Sequence, residues 1–182
     1  MVVKTLKEGN KQIPAGTMPR VIAPNIVSGC MLKVGSEVVG FYQRSLPAVI
    51  DFQLIDLNRE ILRNRKGRRH LPLAESNLEE LAVDIERLIY KLMGVDVRFN
   101  GTITCYNSDA SYHIDDHTRG YNACIVKRGK DSSGGNITIP NLNATFDQCD
   151  GSIVVFPAWR WWHGVTSIMG DYRNSIILYS KK

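Results

Sequence analysis

The chain lacks most of the features that would remove it from the ordinary globular class. No apolar run approaches the ~18 residues of a membrane span, so no membrane partner is expected. No uninterrupted apolar stretch follows the first lysine of MVVKTLKEGN, so no secretory signal is expected either. There is no internal repeat and no low-complexity linker. Cysteine is sparse: Cys30, Cys105, Cys124 and Cys149 are scattered and form no C-x-x-C pair. That spacing argues against a cysteine-bound zinc and for reduced, partly buried thiols, hence an intracellular protein of cytoplasm or nucleus.

What is present fits one domain. The chain has 182 residues, 43% of them hydrophobic and 23% charged, a size and composition suited to a single core. The expected assembly is a monomer. The formal net charge is +5, and five cations fall within RNRKGRRH at positions 63–70. Such a cluster attracts a phosphate backbone or any other polyanion, and it is equally the composition of a solvated loop.

Residues 1–44 read as an entry segment of loops and strands, punctuated by Pro14, Pro19 and Pro24. From Leu46 to Leu62, apolar residues at 50, 54, 57 and 61 predict a helix, with Ser45 and Pro47 as start signals. A second helix is predicted to open on a capping box, Ser76-Asn77-Leu78-Glu79, and to end at Gly94. Its apolar face runs through Leu78, Leu81, Ala82, Ile85, Leu88, Ile89 and Leu92.

After Gly94 the period becomes that of β-structure: GTITCYN, YNACIVKR, GGNITIP, GSIVVFPAW, HGVTSI and RNSIILYS are divided by Gly, Asn and Asp. The expected fold is α+β, with amino-terminal helices packed on one face of a jelly roll. Residues 1–95 are expected to form a strand and helix support region, and 96–182 the jelly-roll core.

The chemistry concentrates in SYHIDDH, residues 111–117, at the predicted end of a strand. Residues i and i+2 of a strand share a face, so His113 and Asp115 project together while Ile114 turns away. One imidazole and one carboxylate make an incomplete metal site, and His70, His117 and His163 are the remaining histidines. Two histidines and a carboxylate with open positions form the donor set of non-haem ferrous oxygenases. Further on, R-N-S at 173–175 again places Arg173 and Ser175 on one strand face. A guanidinium is the planar, permanently charged partner that the far carboxylate of a keto-diacid such as 2-oxoglutarate requires.

The order HID (113–115), GGNITIP (134–140), GSIVVF (151–156), HGV (163–165) and RNS (173–175) resembles the double-stranded β-helix core of the ferrous iron and 2-oxoglutarate-dependent dioxygenases. Within that superfamily, the short chain, the GG-x-I-x-I-P strand and the R-x-S ending look most like the TET/JBP group, which oxidises the 5-methyl group of pyrimidines in nucleic acid. The resemblance implies a double-stranded β-helix and Fe(II) ligands at His113, Asp115 and His163. It also implies 2-oxoglutarate held by Arg173 and Ser175, O2 as oxidant, and DNA as partner.

Around this set, Tyr106 and Asn122 are candidates for hydrogen bonds to the co-substrate, with ordinary packing as the alternative. Asp116 and His117 read as a polar loop at the mouth of the site, able to face substrate. One of Trp159, Trp161 and Trp162, taken as Trp161, is expected to stack on a base, and Arg68 and Arg69 to contact phosphate. The leading expectation is hydroxylation of a 5-methylcytosine or thymine methyl in DNA. The rivals are the same chemistry on a protein side chain or small metabolite, and a non-catalytic metal- or sugar-binding jelly roll.

Overall fold

The computed structural model describes residues 1–182. Its first half contains β1 (Val2–Leu6), β2 (Cys30–Val34), β3 (Glu37–Gln43), α1 (Ala48–Asn64), β4 (Arg69–Pro72) and α2 (Glu79–Met93). The second half contains β5 (Gly101–Tyr106), β6 (Ala110–His113), β7 (Thr118–Arg128), β8 (Ser132–Gly134) and β9 (Ile137–Ile139). It closes with β10 (Ala144–Thr145), β11 (Ile153–Phe156), β12 (His163–Val165), β13 (Ile168–Gly170) and β14 (Arg173–Lys181).

Eight strands form a large sheet in the order β1-β2-β3-β11-β7-β14-β5-β4, and four form a smaller one, β10-β9-β12-β6. A two-stranded ribbon pairs β13 with β8. One apolar cluster draws on both sheets, with Val39, Tyr42, Cys124, Val126 and Val154 from the large one and Ile137, Ile139 and Ala144 from the small one. Two sheets facing one another across such a filling make a jelly-roll-type core. Strands β1 to β4 lie before residue 95, so the large sheet draws half of its eight strands from the segment expected to support it.

The other face of the large sheet explains why its strands read as unbroken apolar runs. Ala123, Ile125, Ile153, Val155, Ile176 and Leu178 join a second cluster with Ile50, Leu54 and Ile61 of α1 and Leu81, Ile85 and Ile89 of α2. Burial on both faces removes the polar half of the alternation.

The second helix starts differently from its expected capping box. Ser76 Oγ donates to Leu73 O at 2.6 Å and accepts from Leu78 N at 3.2 Å, closing a turn that precedes the helix. Asn77 takes φ 59°, so Ser76 cannot cap, and α2 opens at Glu79 without a side-chain cap. Its far end matches expectation: Gly94, at φ 69°, terminates it.

Core and surface positions on α1 give a direct test of this packing. Leu54 is fully buried and Phe52, two residues away, is 73% exposed. Leu54→Ala is expected to cost about 2–5 kcal/mol in urea unfolding, and Phe52→Ala to stay within about 0.5 kcal/mol.

Candidate active site

Histidines 113 and 163 are direct cross-strand partners in the small sheet, on β6 and β12, and so present their rings to the same side, with centroids 4.3 Å apart. Two residues beyond His113, Asp115 lies just past the strand end, where its N–H donates to Ala158 O at 3.1 Å. Its carbonyl accepts from Thr118 N at 3.0 Å and Thr118 Oγ1 at 2.9 Å, which fixes the turn. The ligand atoms of His113, Asp115 and His163 all lie within 4.8 Å of one another, close enough for one ion to touch all three.

Hydrogen bonding also sets the tautomers. Nδ1 of His113 faces Ser111 O at 2.7 Å, and Nδ1 of His163 faces Trp161 O at 2.9 Å. A carbonyl only accepts, so both Nδ1 atoms carry the proton and both Nε2 lone pairs are left for a metal. Those Nε2 atoms lie 3.3 and 3.9 Å from the carboxylate oxygens of Asp115. Burial, reinforced by the charge of His113, pushes His163 down to about 4, so its ring is neutral near neutral pH. The carboxylate of Asp115, to which a protonated Nε2 could donate, raises the pKa of His113. Burial opposes the charge of Asp115, yet its contact with His113 and the neighbouring imidazoles hold the carboxyl below its usual range. Asn122 Nδ2 donates to Asp115 Oδ2 at 3.0 Å and orients it. These donors, tautomers and orientations fit a divalent metal.

The triad opens into a cavity of ≈ 260 Å³ between the two sheets. Its floor is every second residue of three adjacent strands: Ile103 and Cys105 of β5, Asn122 and Cys124 of β7, and Arg173, Ser175 and Ile177 of β14. Arg173 is 1% exposed. Its Nη2 donates to Gln148 Oε1 at 2.8 Å, and its Nε, though buried, has no partner. Burial lowers its pKa, and no carboxylate is among the groups that oppose the shift. An oriented cation with a spare donor, in the same cavity as the triad, suits an anionic ligand.

The second glycine of GGNITIP is explained by the same side chain. A Cβ on Gly135, which adopts φ +64°, would stand 2.9 Å from Arg173 Cδ and 3.1 Å from its Nε. Gly135 therefore leaves the room that the guanidinium occupies.

Other candidates divide. His117 lines the cavity, and its ring meets Tyr179 edge-on at 5.7 Å. His70 and Arg68 line it from β4 and the residue before it. Asp116 beside them is 93% exposed in its side chain. For Tyr106 the packing alternative holds, and the expectations for Arg69 and Trp161 are corrected. Tyr106 alternates away from the cavity and packs in the helix-side cluster, while Cys105 occupies the cavity position. Arg69, one residue out of phase with Arg68 and His70, faces a separate pocket with Lys66, Leu57 and Thr104. Trp161 is 2% exposed and donates to Glu8 Oε1 at 2.8 Å. Strand alternation does not apply to the tryptophan run, which forms a turn closed by Arg160 N to Pro157 O. The exposed indole is Trp159, at 44%.

Two supports lay outside the sequence reading. Gln148 clamps Arg173 from a loop, and its Oε1 also accepts from Ile137 N at 3.1 Å. A buried amide chain, Asn107 N to Asn174 Oδ1 and Asn174 Nδ2 to Asn58 Oδ1, ties the start of β14 to α1. Neither has a spacing signal, because each joins residues distant in the chain.

No protein-family model matches the sequence, and no curated protein sequence matches it either. Solved structures do. The chain is similar to NgTET1 in complex with 5mC DNA, at 12% identity and a TM-score of 0.70, covering 99% of this chain and 83% of that one. It is also similar to a viral collagen prolyl hydroxylase from Paramecium Bursaria Chlorella virus-1, at 11% identity and TM-score 0.57, covering 91% and 97%. A 2OG-Fe(II) oxygenase family oxidoreductase from Burkholderia pseudomallei is similar at 19% identity and TM-score 0.54, covering 74% and 81%. Identities this low establish a shared fold.

Metal binding is the direct test of the triad. His163→Ala is expected to abolish stoichiometric binding of a divalent cation in calorimetry. His70→Ala is expected to retain it, since His70 lines the cavity outside the triad.

Proposed function

We propose that the chain is a ferrous iron and 2-oxoglutarate-dependent dioxygenase that hydroxylates the 5-methyl group of a pyrimidine in DNA. The observation that carries the reading is a single cavity in which a His-Asp-His donor set lies near a buried guanidinium that has a spare donor and no carboxylate partner. Loaded with ferrous iron, 2-oxoglutarate and O2, a site of this kind hydroxylates a C–H bond while the co-substrate loses CO2.

The chain's own residues bind, orient and exclude. His113, Asp115 and His163 would hold the metal through Nε2, carboxylate and Nε2. Arg173, set by Gln148 and joined by Ser175, would take the far carboxylate of 2-oxoglutarate through parallel N–H donors. Ile103, Ile177, Ile137 and Val165 keep the walls apolar. Asn122 steadies Asp115 and has a buried Oδ1 without a partner.

For the substrate, the support is the extent of the likeness to NgTET1 in its complex with 5mC DNA, and the cation Arg68 at the mouth. A base inside a duplex cannot reach such a cavity, so the enzyme would act on a flipped or unpaired nucleotide. The prolyl hydroxylase likeness favours a second reading, the same chemistry on a protein side chain. Turnover of 2-oxoglutarate measured with methylated DNA, thymine-containing DNA and proline-rich peptides separates them. Stimulation by DNA alone is expected, and stimulation by peptide alone would replace the first reading with the second.

The co-substrate clamp makes a sharper prediction. Arg173→Lys keeps the charge but loses the fork, and should weaken 2-oxoglutarate binding by about 1.5–3 kcal/mol, roughly ten- to a hundredfold. Gln148→Glu should raise the KM for 2-oxoglutarate more than Gln148→Ala, because it puts a competing carboxylate on Arg173. A merely structural role for Gln148 would give the opposite order.

A further inference from the structure

Beyond the mouth, the cavity floor continues into a second recess. Along the large sheet, Ile177 lies beside Ile103 and Ile103 beside His70, all three facing the cavity. Two residues further, the next row is Tyr179, Gly101 and Pro72. These lie on the same face, about 7 Å along the strands. They line an open groove of ≈ 400 Å³ that shares His70 with the cavity and is flanked by Lys181 and Lys182.

The groove has a defined floor and an unbalanced charge. A Cβ on Gly101 would overlap the ring of Tyr179, approaching its Cε2 to 2.5 Å and its hydroxyl to 2.8 Å, so the ring lies flat across the glycine backbone. Tyr179 in turn meets His117 of the cavity edge-on, which joins the two recesses by contact. None of the residues lining the groove is acidic. The ion pairs of the molecule, among them Arg98 with Glu86 and Asp96, leave Lys181 and Lys182 without a carboxylate. On the outer side the groove is bounded by Leu71 and Pro72 of β4, the last strand of the sheet, so a chain can enter from solvent. From there, β4 leads past His70 towards Arg68, which lines the cavity.

We infer that this groove is an anion subsite for the sugar-phosphate backbone of a single-stranded or flipped nucleotide whose base enters the cavity, with Lys181 and Lys182 each contacting one of the two phosphates that flank the reacting residue. The inference rests on the reading of the substrate as DNA. It also relocates the backbone contact: Lys66 and Arg69 of the basic loop face the other side of β4, whereas the two lysines flank the continuation of the cavity itself. Charge complementarity selects a polyanion over a collagen-like peptide, which offers no anion to the lysines.

The test uses the full chain loaded with a redox-inactive divalent metal and 2-oxoglutarate. A labelled single-stranded oligonucleotide with one 5-methylcytosine is titrated at several salt concentrations. For K181Q/K182Q, the slope of log affinity against log salt should flatten by about 1.4 units, since each lost single-strand phosphate contact removes about 0.7. K33Q/K91Q, remote on β2 and α2, should leave the slope unchanged, and 2-oxoglutarate binding should be unaffected in both variants. Replacing the phosphates that flank the methylated nucleotide by neutral methylphosphonates should reproduce the flattening in the unmodified protein and add little to K181Q/K182Q. If the unmodified protein binds the oligonucleotide and K181Q/K182Q keeps its full slope, the groove assignment is wrong and the DNA reading stands. If the unmodified protein does not bind the oligonucleotide, the DNA reading fails and the groove assignment falls with it.

Discussion

A guanidinium removed from water with no carboxylate beside it costs several kcal/mol even after relaxation, and Arg173 is held in that condition. It is 1% exposed, donates to a neutral amide, and keeps an unpartnered Nε. Its cross-strand partner on β7 is a second cation, Arg128, which burial and the charge of Arg173 pull below its usual pKa. Arg128 is satisfied by Ser132, Gly134 and Gln148 carbonyl and hydroxyl oxygens, so it neutralises nothing. A fold that carries this arrangement is incomplete electrostatically until an anion enters. Much of the surrounding structure serves the same side chain: Gly135 makes room for it, Gln148 aims it, and Asn107, Asn174 and Asn58 anchor its strand.

The period-2 alternation of the large sheet converts that constraint into a site. Strands β5, β7 and β14 send one set of residues into the helix-side core and the other set into the cavity. A register slip by one residue would exchange Arg173 and Ser175 for Asn174 and Ile176. The helices act at a distance. By burying Ile125, Ile153 and Ile176 they hold the register of the strands whose opposite faces form the cavity floor. The small sheet assembles the His-Asp-His group through one cross-strand pair, His113 and His163, and one tight turn at Asp115.

The sequence made the donor set legible because its geometry is local. Arg173 and Ser175 are two residues apart on β14, and strand periodicity sends them the same way. His113 and Asp115 are as close in sequence, but Asp115 lies past the end of β6, where a turn sets its direction and leaves Ile114, expected to turn away, on the cavity as well. The helices were legible for the same reason, through apolar spacing that matched their buried faces. What required tertiary information was less visible. Tyr106 packs on the helix side while its neighbour Cys105 faces the cavity, a difference of one residue in strand phase that GTITCYN alone does not decide. Arg69 failed by the same single residue. Trp161 lies in a turn, and its indole is buried against Glu8, a contact that spans most of the chain. Gln148 carried no motif at all, since its role exists only where a loop folds back upon β14.

The most direct measurement of the central claim compares two keto acids that differ only beyond the chelating end. 2-Oxoglutarate and 2-oxobutanoate share the 2-oxo carboxylate, and only the first carries a distal carboxylate for Arg173. Each is titrated calorimetrically into the protein loaded with a redox-inactive divalent metal, with no turnover involved. If Arg173 is the waiting partner of that carboxylate, 2-oxoglutarate binds at least tenfold more tightly, the worth of about 1.4 kcal/mol. Equal affinities would contradict the account, because the buried guanidinium would then have no part in holding the co-substrate.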